Sequence, residues 1–338
     1  MPKIRAAVAG ANGYAGMTAV GLLAVHPHVE LVQLTSRSLA GKPYQEVFPL
    51  LGRHGRFTEE VEPRGLDVIF SCLPHAAGAA RTADWFRAGA RVIDMSADYR
   101  LKDSAQYPRW YGQEHPAPEL LNQAVLGLPE LHADQIADAQ LVAVPGCYST
   151  ASILALAPAV ASGQVASDVV VDAKSGVSGA GRSPGLTSHF AEAGEAVTAY
   201  ALNGHRHLPE VTQELAGVAP DGKAPRLTFV PHLVPMVRGI LATCYFDSRA
   251  ASDELAEAYR EFYAGQPFTQ LLPRTPSTKL ASKTNLCLLN VAAQDGKTVV
   301  TAALDNLVKG ASGQGVECFN IAFGLDRTTG LQTANQWP

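Results

Sequence analysis

Charge of either sign is sparse in this sequence, and no segment concentrates it. Of 338 residues, 27 are Lys or Arg and 31 are Asp or Glu, giving a net charge of -4. Because there is no basic run, the sequence shows no surface typical of nucleic-acid or membrane binding. No uncharged apolar run reaches the length of about 18 residues that a membrane span needs, so no span is predicted.

Cysteine is also scarce, with five residues that are widely spaced and form no CxxC pair. They are Cys72, Cys147, Cys244, Cys287 and Cys318. This pattern argues against a disulfide framework or a structural zinc site and favours a reducing compartment. The sequence runs from Met1 directly into an apolar segment, without the pattern of a signal peptide. We therefore expect a cytoplasmic protein.

Apolar residues are abundant, at 47% of the sequence. A chain of 338 residues is long for a single hydrophobic core. In its first part, apolar strands alternate with helical patterns, which predicts an α/β, Rossmann-type doubly wound parallel sheet. The predicted strands are 3–9, 29–34, 67–73, 91–95 and 141–144, and the predicted helices are 15–26 and 76–88.

The texture changes after residue 147. A predicted helix at 151–161 is followed by strands at 226–230, 239–246, 285–292 and 298–304, and by a last helix at about 311–323. Longer strands separated by polar loops are typical of a mixed sheet in an α+β domain. We predict an NADP-binding domain of residues 1–147 and 310–338, and a catalytic, substrate-binding and oligomerisation domain of residues 148–309.

A glycine-rich turn with GxxGxxG spacing follows the first predicted strand. Its site candidates are Gly10, Asn12, Gly13, Tyr14 and Gly16. Glycines permit a tight turn and close approach of a pyrophosphate, and the following helix offers amide groups and a partial positive charge. We interpret the turn as a dinucleotide site; the alternative is a plain strand–helix turn that needs glycine for its geometry.

The residues at the end of the second predicted strand indicate which dinucleotide, NAD or NADP, the protein binds. An enzyme that uses NAD would place Asp or Glu there, but this chain has Ser36 and Arg37. A hydroxyl and a guanidinium suit the extra phosphate of NADP, since Arg makes bidentate hydrogen bonds to phosphate. The alternative is a solvated loop arginine.

Cys147 lies between a predicted strand and a predicted helix, directly after Gly146. A thiol at a helix N-terminus has its thiolate favoured by the dipole and by backbone amides, so Cys147 is the candidate nucleophile. The alternative is a core cysteine, which is how the other four cysteines are interpreted, because they lie in apolar patterns.

A nucleophilic cysteine needs an acid/base partner. The best candidates are His205, His207 and Glu210, in a polar segment that Gly204 and Pro209 flank and that we predict to be a loop. Two histidines and a carboxylate in this arrangement also fit a zinc site, and a solvated turn is a third interpretation.

Two further segments offer anion-binding groups. A glycine-rich stretch at 174–182 contains Ser178, Gly179 and Arg182, and Arg100 follows the predicted strand at 91–95. Backbone amides and guanidinium groups there could cradle a phosphoryl group. The alternatives are a flexible loop for the first segment and a surface salt bridge for Arg100.

Taken together, the motifs resemble those of the N-acetyl-gamma-glutamyl-phosphate reductase family of arginine biosynthesis over nearly the full length. They are GANGYAG at 10–16, TSR at 35–37, DMSADYR at 94–100, PGCY at 145–148, KSGVSGAGR at 174–182, HRHLPE at 205–210, PHLVPMVRGI at 231–240 and DNLVKGASGQ at 305–314. More distantly, the chain is similar to aspartate-semialdehyde dehydrogenase. One departure is Ser149, where the family usually has proline.

The resemblance implies an enzyme that reduces an acyl phosphate with NADPH through a cysteine thioester. Cys147 would be the nucleophile, His207 the acid/base and Glu210 the residue that orients or tunes His207. Asn306 and Lys309 fall in the family's C-terminal motif near the nicotinamide. An imidazole suits the proton transfers because its ordinary pKa lies near neutrality.

The remaining assignments complete the predicted site. Ser178, Gly179 and Asn306 are assigned to the NADP site, and Arg100, His205 and Arg182 to the substrate site, with no metal. The expected partners are a small acyl phosphate and further copies of the chain. Rival functions are reduction of N-acetyl-aminoadipyl phosphate or aspartyl phosphate, a non-catalytic NADP-binding protein, and a zinc hydrolase.

Overall fold

A computed structural model describes residues 2–332, and the chain folds into two compact units. The first unit extends to Pro145 and includes Ala311–Leu331, and the second comprises Gly146–Gly310 and Gln332. The chain therefore passes from one unit to the other one residue before Cys147. Residues 1 and 333–338 of the predicted NADP-binding domain lie outside the described residues.

The first unit is built on a six-stranded parallel sheet in the order β2-β1-β3-β4-β6-β5. Its strands are β1 Ile4–Ala9, β2 Val29–Leu34, β3 Val68–Ser71, β4 Arg91–Asp94, β5 Val125–Leu126 and β6 Leu141–Ala143. The chain moves from β1 outward to β2 and then returns to the other side of β1, pairing Ala6 with Val68. This reversal between β1 and β3 is the point at which such sheets bind ligands.

Helices cover both faces of this sheet. They are α1 Tyr14–Ala24, α2 Ala79–Arg87, α3 Tyr107–Tyr111, α4 Pro129–Asp138 and α10 Gly313–Ala322. Successive strand residues point to opposite faces, so Ala6 and Val8 of β1 join a core with α1 and α10, whereas Ala7 and Ala9 join one with α2. The predicted doubly wound architecture is confirmed.

The second unit contains a seven-stranded mixed sheet in the order β11-β12-β13-β10-β7-β9-β8. Its strands are β7 Val169–Gly176, β8 Thr198–Ala199, β9 Leu227–Val234, β10 Ile240–Asp247, β11 Thr269–Leu271, β12 Cys287–Gln294 and β13 Lys297–Leu304. The central strands β12, β13, β10 and β7 pair antiparallel, and β9 pairs parallel to β7. The predicted mixed sheet is confirmed.

One helix forms the centre of the second unit. Its helices are α5 Cys147–Ala161, α6 Phe190–Ala193, α7 Leu208–Val218, α8 Ser252–Phe262 and α9 Thr278–Ala281. Every residue of α5 from Tyr148 to Val160 is buried, because α5 packs on β10 and β13 and is covered by α7 and α8. A helix that is apolar on all sides needs such a position, and here it holds its first residue, Cys147, in place.

The structure corrects two local predictions. Helix α5 begins at Cys147 and not at residue 151, and residues 208–210 of the predicted loop form the first turn of α7. Pro209 fits there because proline is tolerated in a first turn. The predicted last helix agrees with α10, and a π-helical turn, Val308–Ser312, directly precedes it. Among residues 2–332, no helix has the length and apolar character of a transmembrane span.

Candidate active site

Cys147 is the first residue of α5, and Gly146 before it has the extended backbone typical of an N-cap. Backbone N–H groups of the first turn have no partner inside the helix, so the Cys147 sulfur lies where a thiolate is stabilised. Cys147 is partly exposed, whereas Cys244 is fully buried, and burial raises the pKa of the Cys244 thiol to about 12. The environment at residue 147 thus favours a reactive sulfur.

The imidazole of His207 packs directly on Gly146. A Cβ atom built on Gly146 would lie 2.3 Å from Nε2 of His207 and 2.5 Å from its Cε1. Any side chain at position 146 would displace this ring, so glycine is required for a close approach here. The structure therefore brings together His207 and the residue that adjoins Cys147, as the proposed acid/base role needs.

Glu210 is fully buried, and its Oε2 accepts a hydrogen bond of 3.0 Å from the Gly146 N–H. A buried carboxylate needs such charge-assisted hydrogen bonds. Because Glu210 and His207 belong to the start of α7, this one turn holds the residue before Cys147 on two sides. The role of Glu210 in tuning His207 stays a prediction.

His205 is enclosed by aromatic rings. Its ring centroid lies 5.4 Å from that of Phe229 and 5.6 Å from that of Tyr148. Its Nδ1 accepts a hydrogen bond of 3.2 Å from the His207 N–H. Burial, together with the charge of Arg206, lowers the pKa of His205 to about 4. His205 is therefore neutral at pH 7 and is a poor general acid.

The two histidines and the nucleophile line a cavity of 610 Å³. Its outer wall comes from residues 186–201, a segment without a predicted role, and includes Glu192 and Tyr200. Arg206 and Gly179 also line the cavity. Cavities of this size hold small ligands. The cavity therefore places the predicted residues Cys147, His205, His207 and Gly179 in one site.

The segment after β13 passes beside Cys147. A Cβ atom on Gly310 would lie 2.7 Å from the Cβ of Cys147, so this position needs glycine. The Asn306 side chain donates to Oγ of Ser178 at 2.9 Å and accepts from the Gly239 N–H at 2.7 Å. Asn306 and Ser178 thus join three chain segments, and their roles in cofactor binding stay predictions.

Three further candidates have different surroundings. Lys309 is fully buried, with its Nζ 5.7 Å from the centroid of the Phe268 ring. Arg182 lies in an exposed loop of the second unit. Arg100 is buried in the first unit, where its Nε donates to the Val144 carbonyl at 2.7 Å, so the alternative of a surface salt bridge is wrong. The substrate contacts of Arg100 and Arg182 stay predictions.

The glycine-rich turn of the first unit is closely packed. Gly10 has a φ of +74°, and a Cβ atom there would lie 2.6 Å from the Cys72 carbonyl oxygen. A Cβ atom on Gly16 would lie 2.2 Å from the Gly10 carbonyl oxygen. Gly13 caps α1, and Tyr14 is its partly exposed first residue. The packing of the turn itself therefore requires glycine at positions 10 and 16.

The end of β2 lies beside this turn. The Asn12 side chain donates to Oγ of Ser38 at 3.1 Å. Ser36 is buried, whereas Arg37 is exposed. The guanidinium of Arg37 is therefore accessible at the carboxyl end of a parallel strand, where dinucleotide specificity is decided.

The predicted zinc alternative finds no geometric support. Among residues 2–332, no group of three or more His, Cys, Asp or Glu side chains has an arrangement suited to a metal ion.

Relatives of known name match the whole chain. A reductase from Dehalococcoides mccartyi named N-acetyl-gamma-glutamyl-phosphate reductase is 47% identical over 343 residues, which covers 100% of both proteins. The chain belongs to the N-acetyl-gamma-glutamyl-phosphate reductase family. Proteins of the same name from Heliobacterium modesticaldum and Pseudomonas putida are 45% and 44% identical, each over 99% of this chain and 100% of the relative.

Domain families and solved structures agree with membership of this reductase family. Residues 5–139 match the semialdehyde dehydrogenase NAD-binding domain, and residues 147–306 match the semialdehyde dehydrogenase dimerisation domain. Aspartate semialdehyde dehydrogenase II from Vibrio cholerae superposes with a TM-score of 0.74 at 17% identity, covering 96% of this chain and 99% of that one. At such low identity, this similarity concerns the fold alone.

Proposed function

We propose that the protein is an NADP-dependent oxidoreductase that converts N-acetyl-gamma-glutamyl phosphate to N-acetyl-glutamate semialdehyde in arginine biosynthesis. Membership of the reductase family supports the substrate. The observation that carries the chemistry is the position of Cys147 at the start of α5, with His207 packed on the adjacent Gly146.

The proposed reaction begins at the Cys147 sulfur. The thiolate attacks the acyl carbon, and the carbon–oxygen bond to phosphate breaks. Inorganic phosphate departs, and the acyl group remains bound to Cys147 as a thioester. The backbone N–H groups at the start of α5 stabilise the negative charge that develops on the acyl oxygen. His207 takes the thiol proton and returns a proton to the sulfur when the carbon–sulfur bond breaks.

NADPH, when bound, supplies the hydride that reduces the thioester to the aldehyde. The glycine-rich turn of the first unit would hold the pyrophosphate of the cofactor at the N-terminus of α1, where Gly13 is the N-cap. Arg37 would hold the additional phosphate that distinguishes NADP from NAD.

The Arg37→Asp variant tests this assignment. We expect the KM for NADPH to rise about 10- to 100-fold, because a charged hydrogen bond is replaced by repulsion, with little change for NADH. The measurement is kcat/KM with each cofactor. Arg64→Asp is the matched control, since Arg64 is exposed in the same unit but precedes β3 and so lies at the opposite end of the strands. An unchanged preference in Arg37→Asp would remove Arg37 from the cofactor site.

Self-association and location complete the proposal. The match of residues 147–306 to a dimerisation domain supports a homo-oligomer. Val170 and Tyr245 pair across β7 and β10 and are 39% and 38% exposed, so this part of the sheet offers apolar side chains to another copy. The molar mass in solution tests this, and a monomer would contradict it.

The cytoplasmic location expected from cysteine usage remains a proposal, which fractionation of the source cells would test.

The decisive experiment runs the reaction backwards. We expect phosphate-dependent reduction of NADP by N-acetyl-glutamate semialdehyde, followed by absorbance of NADPH. N-acetyl-aminoadipate semialdehyde and aspartate semialdehyde serve as alternative substrates. Their kcat/KM values should be at least about tenfold lower, because a difference of one methylene changes kcat/KM by about that factor. Absence of phosphate-dependent NADPH formation would overturn the proposed function. A higher kcat/KM for either alternative semialdehyde would overturn the proposed substrate.

A further inference from the structure

Arg206 is the one residue of the segment 205–207 that is exposed. His205 and His207 are buried on either side of it, at 9% and 7% exposure, and Arg206 lines the cavity that also contains Cys147. No carboxylate within the described range 2–332 forms an ion pair with its guanidinium. Its charge nevertheless reaches into the site, since it contributes to lowering the pKa of His205. An arginine with no acidic partner beside a substrate-sized cavity is suited to bind an anionic group of the ligand.

We propose that Arg206 binds the α-carboxylate of the substrate and selects for it. This inference rests on the proposed function, whose substrate carries a phosphate on the reacting carbon and a carboxylate at the far end of the chain. A guanidinium and a carboxylate form two parallel charged hydrogen bonds, which also fix orientation.

The burial of the residues that line the cavity indicates whether Arg206 binds the phosphate or the carboxylate of the substrate. The reacting carbon must contact Cys147, and the cavity residues around it, Tyr148, Ser175 and His207, are buried. Arg206 is exposed, as are Leu186 and Thr187 across the same cavity. The phosphate therefore lies at the buried end with the acyl carbon, and the carboxylate lies at the exposed end with Arg206.

The test compares two aldehydes in the phosphate-dependent reduction of NADP. N-acetyl-glutamate semialdehyde carries the carboxylate, and N-acetyl-4-aminobutanal lacks it but is otherwise the same. We expect Arg206→Gln to lower kcat/KM for the first aldehyde roughly 100-fold, mainly through KM, because a charged hydrogen bond is lost. For the second aldehyde and for the KM of phosphate, we expect changes of less than about threefold.

Two more variants make the result specific. Arg206→Lys keeps the charge but loses the bidentate geometry. We expect its kcat/KM to fall roughly tenfold for the aldehyde that carries the carboxylate, and not for the other aldehyde. It also keeps the test decisive if the Gln variant does not fold, which thermal melting and NADP binding would show. Arg226→Gln removes an arginine of the same unit that is 82% exposed and does not line the cavity, and it should behave like the wild type.

The outcomes separate this inference from the proposed function. Equal losses with both aldehydes, an increase confined to the KM of phosphate, or no loss at all would each overturn carboxylate binding by Arg206 while leaving the reductase activity intact. A wild-type protein that does not oxidise N-acetyl-glutamate semialdehyde would overturn both.

Discussion

The Cys147→Ser variant is expected to bind NADPH with unchanged affinity and to lose reduction by a factor of at least about 10⁴. A serine hydroxyl at this position stays protonated at neutral pH, so the first bond to the acyl carbon does not form. NADPH binding is expected to be retained because the glycine-rich turn and Arg37 belong to the first unit, whereas Cys147 belongs to the second. Cofactor fluorescence and single-turnover assays measure the two properties separately.

Cys244→Ala is the matched control for this prediction. Cys244 is fully buried in β10, so its truncation should cost about 1 kcal/mol of stability and leave turnover per folded molecule near the wild-type value. Near-normal turnover of Cys147→Ser would exclude the thioester route. A loss of NADPH binding in the same variant would show instead that residue 147 supports the fold of the site.

The parallel sheet was predictable because its strands are short apolar runs bounded by turn residues. β1 and β3 follow this rule, and the alternation of strands and helices then defines the topology. β5 and β8 contain two residues each and have no pattern that a sequence could reveal. α4 begins with proline and contains a non-helical residue, His132, so its pattern is interrupted. α8 was missed although Leu255 and Tyr259 have the four-residue spacing of an apolar helix face.

Within the site, local motifs were predictable and long-range contacts were not. The sequence indicated Cys147 and the segment around His207 separately, because each has a chemical pattern of its own. That Glu210 would reach Gly146, 64 residues away, has no local signal. The same holds for Gly310, whose importance is visible only when its α-carbon lies against Cys147. Arg206 did have a signal in the sequence, because a charged residue between two buried residues tends to be exposed. The chemical roles were assigned to the two histidines on either side of it.

The second large effect is expected at His207. His207→Asn should lower kcat by about 10² to 10⁴, the range for loss of a general acid/base, because the His207 imidazole is the ring that packs on Gly146 beside the nucleophile. His205→Asn should lower it by less than about tenfold, since an amide can take over what His205 does. The Nδ1 of His205 accepts the His207 N–H, and the Oδ1 of asparagine lies in nearly the same place and accepts equally well.

The comparison of these two histidine variants also decides between acid/base and metal chemistry. Burial lowers the pKa of His205 to about 4, so its imidazole is neutral at neutral pH and is a poor proton donor in the reaction. If both variants lost activity equally, the two rings would be acting as a pair, which is what shared metal ligands do, and metal analysis of the purified protein would follow. If only His207→Asn lost activity, and thermal melting showed both variants folded, the ring on Gly146 would be the proton carrier for the Cys147 sulfur.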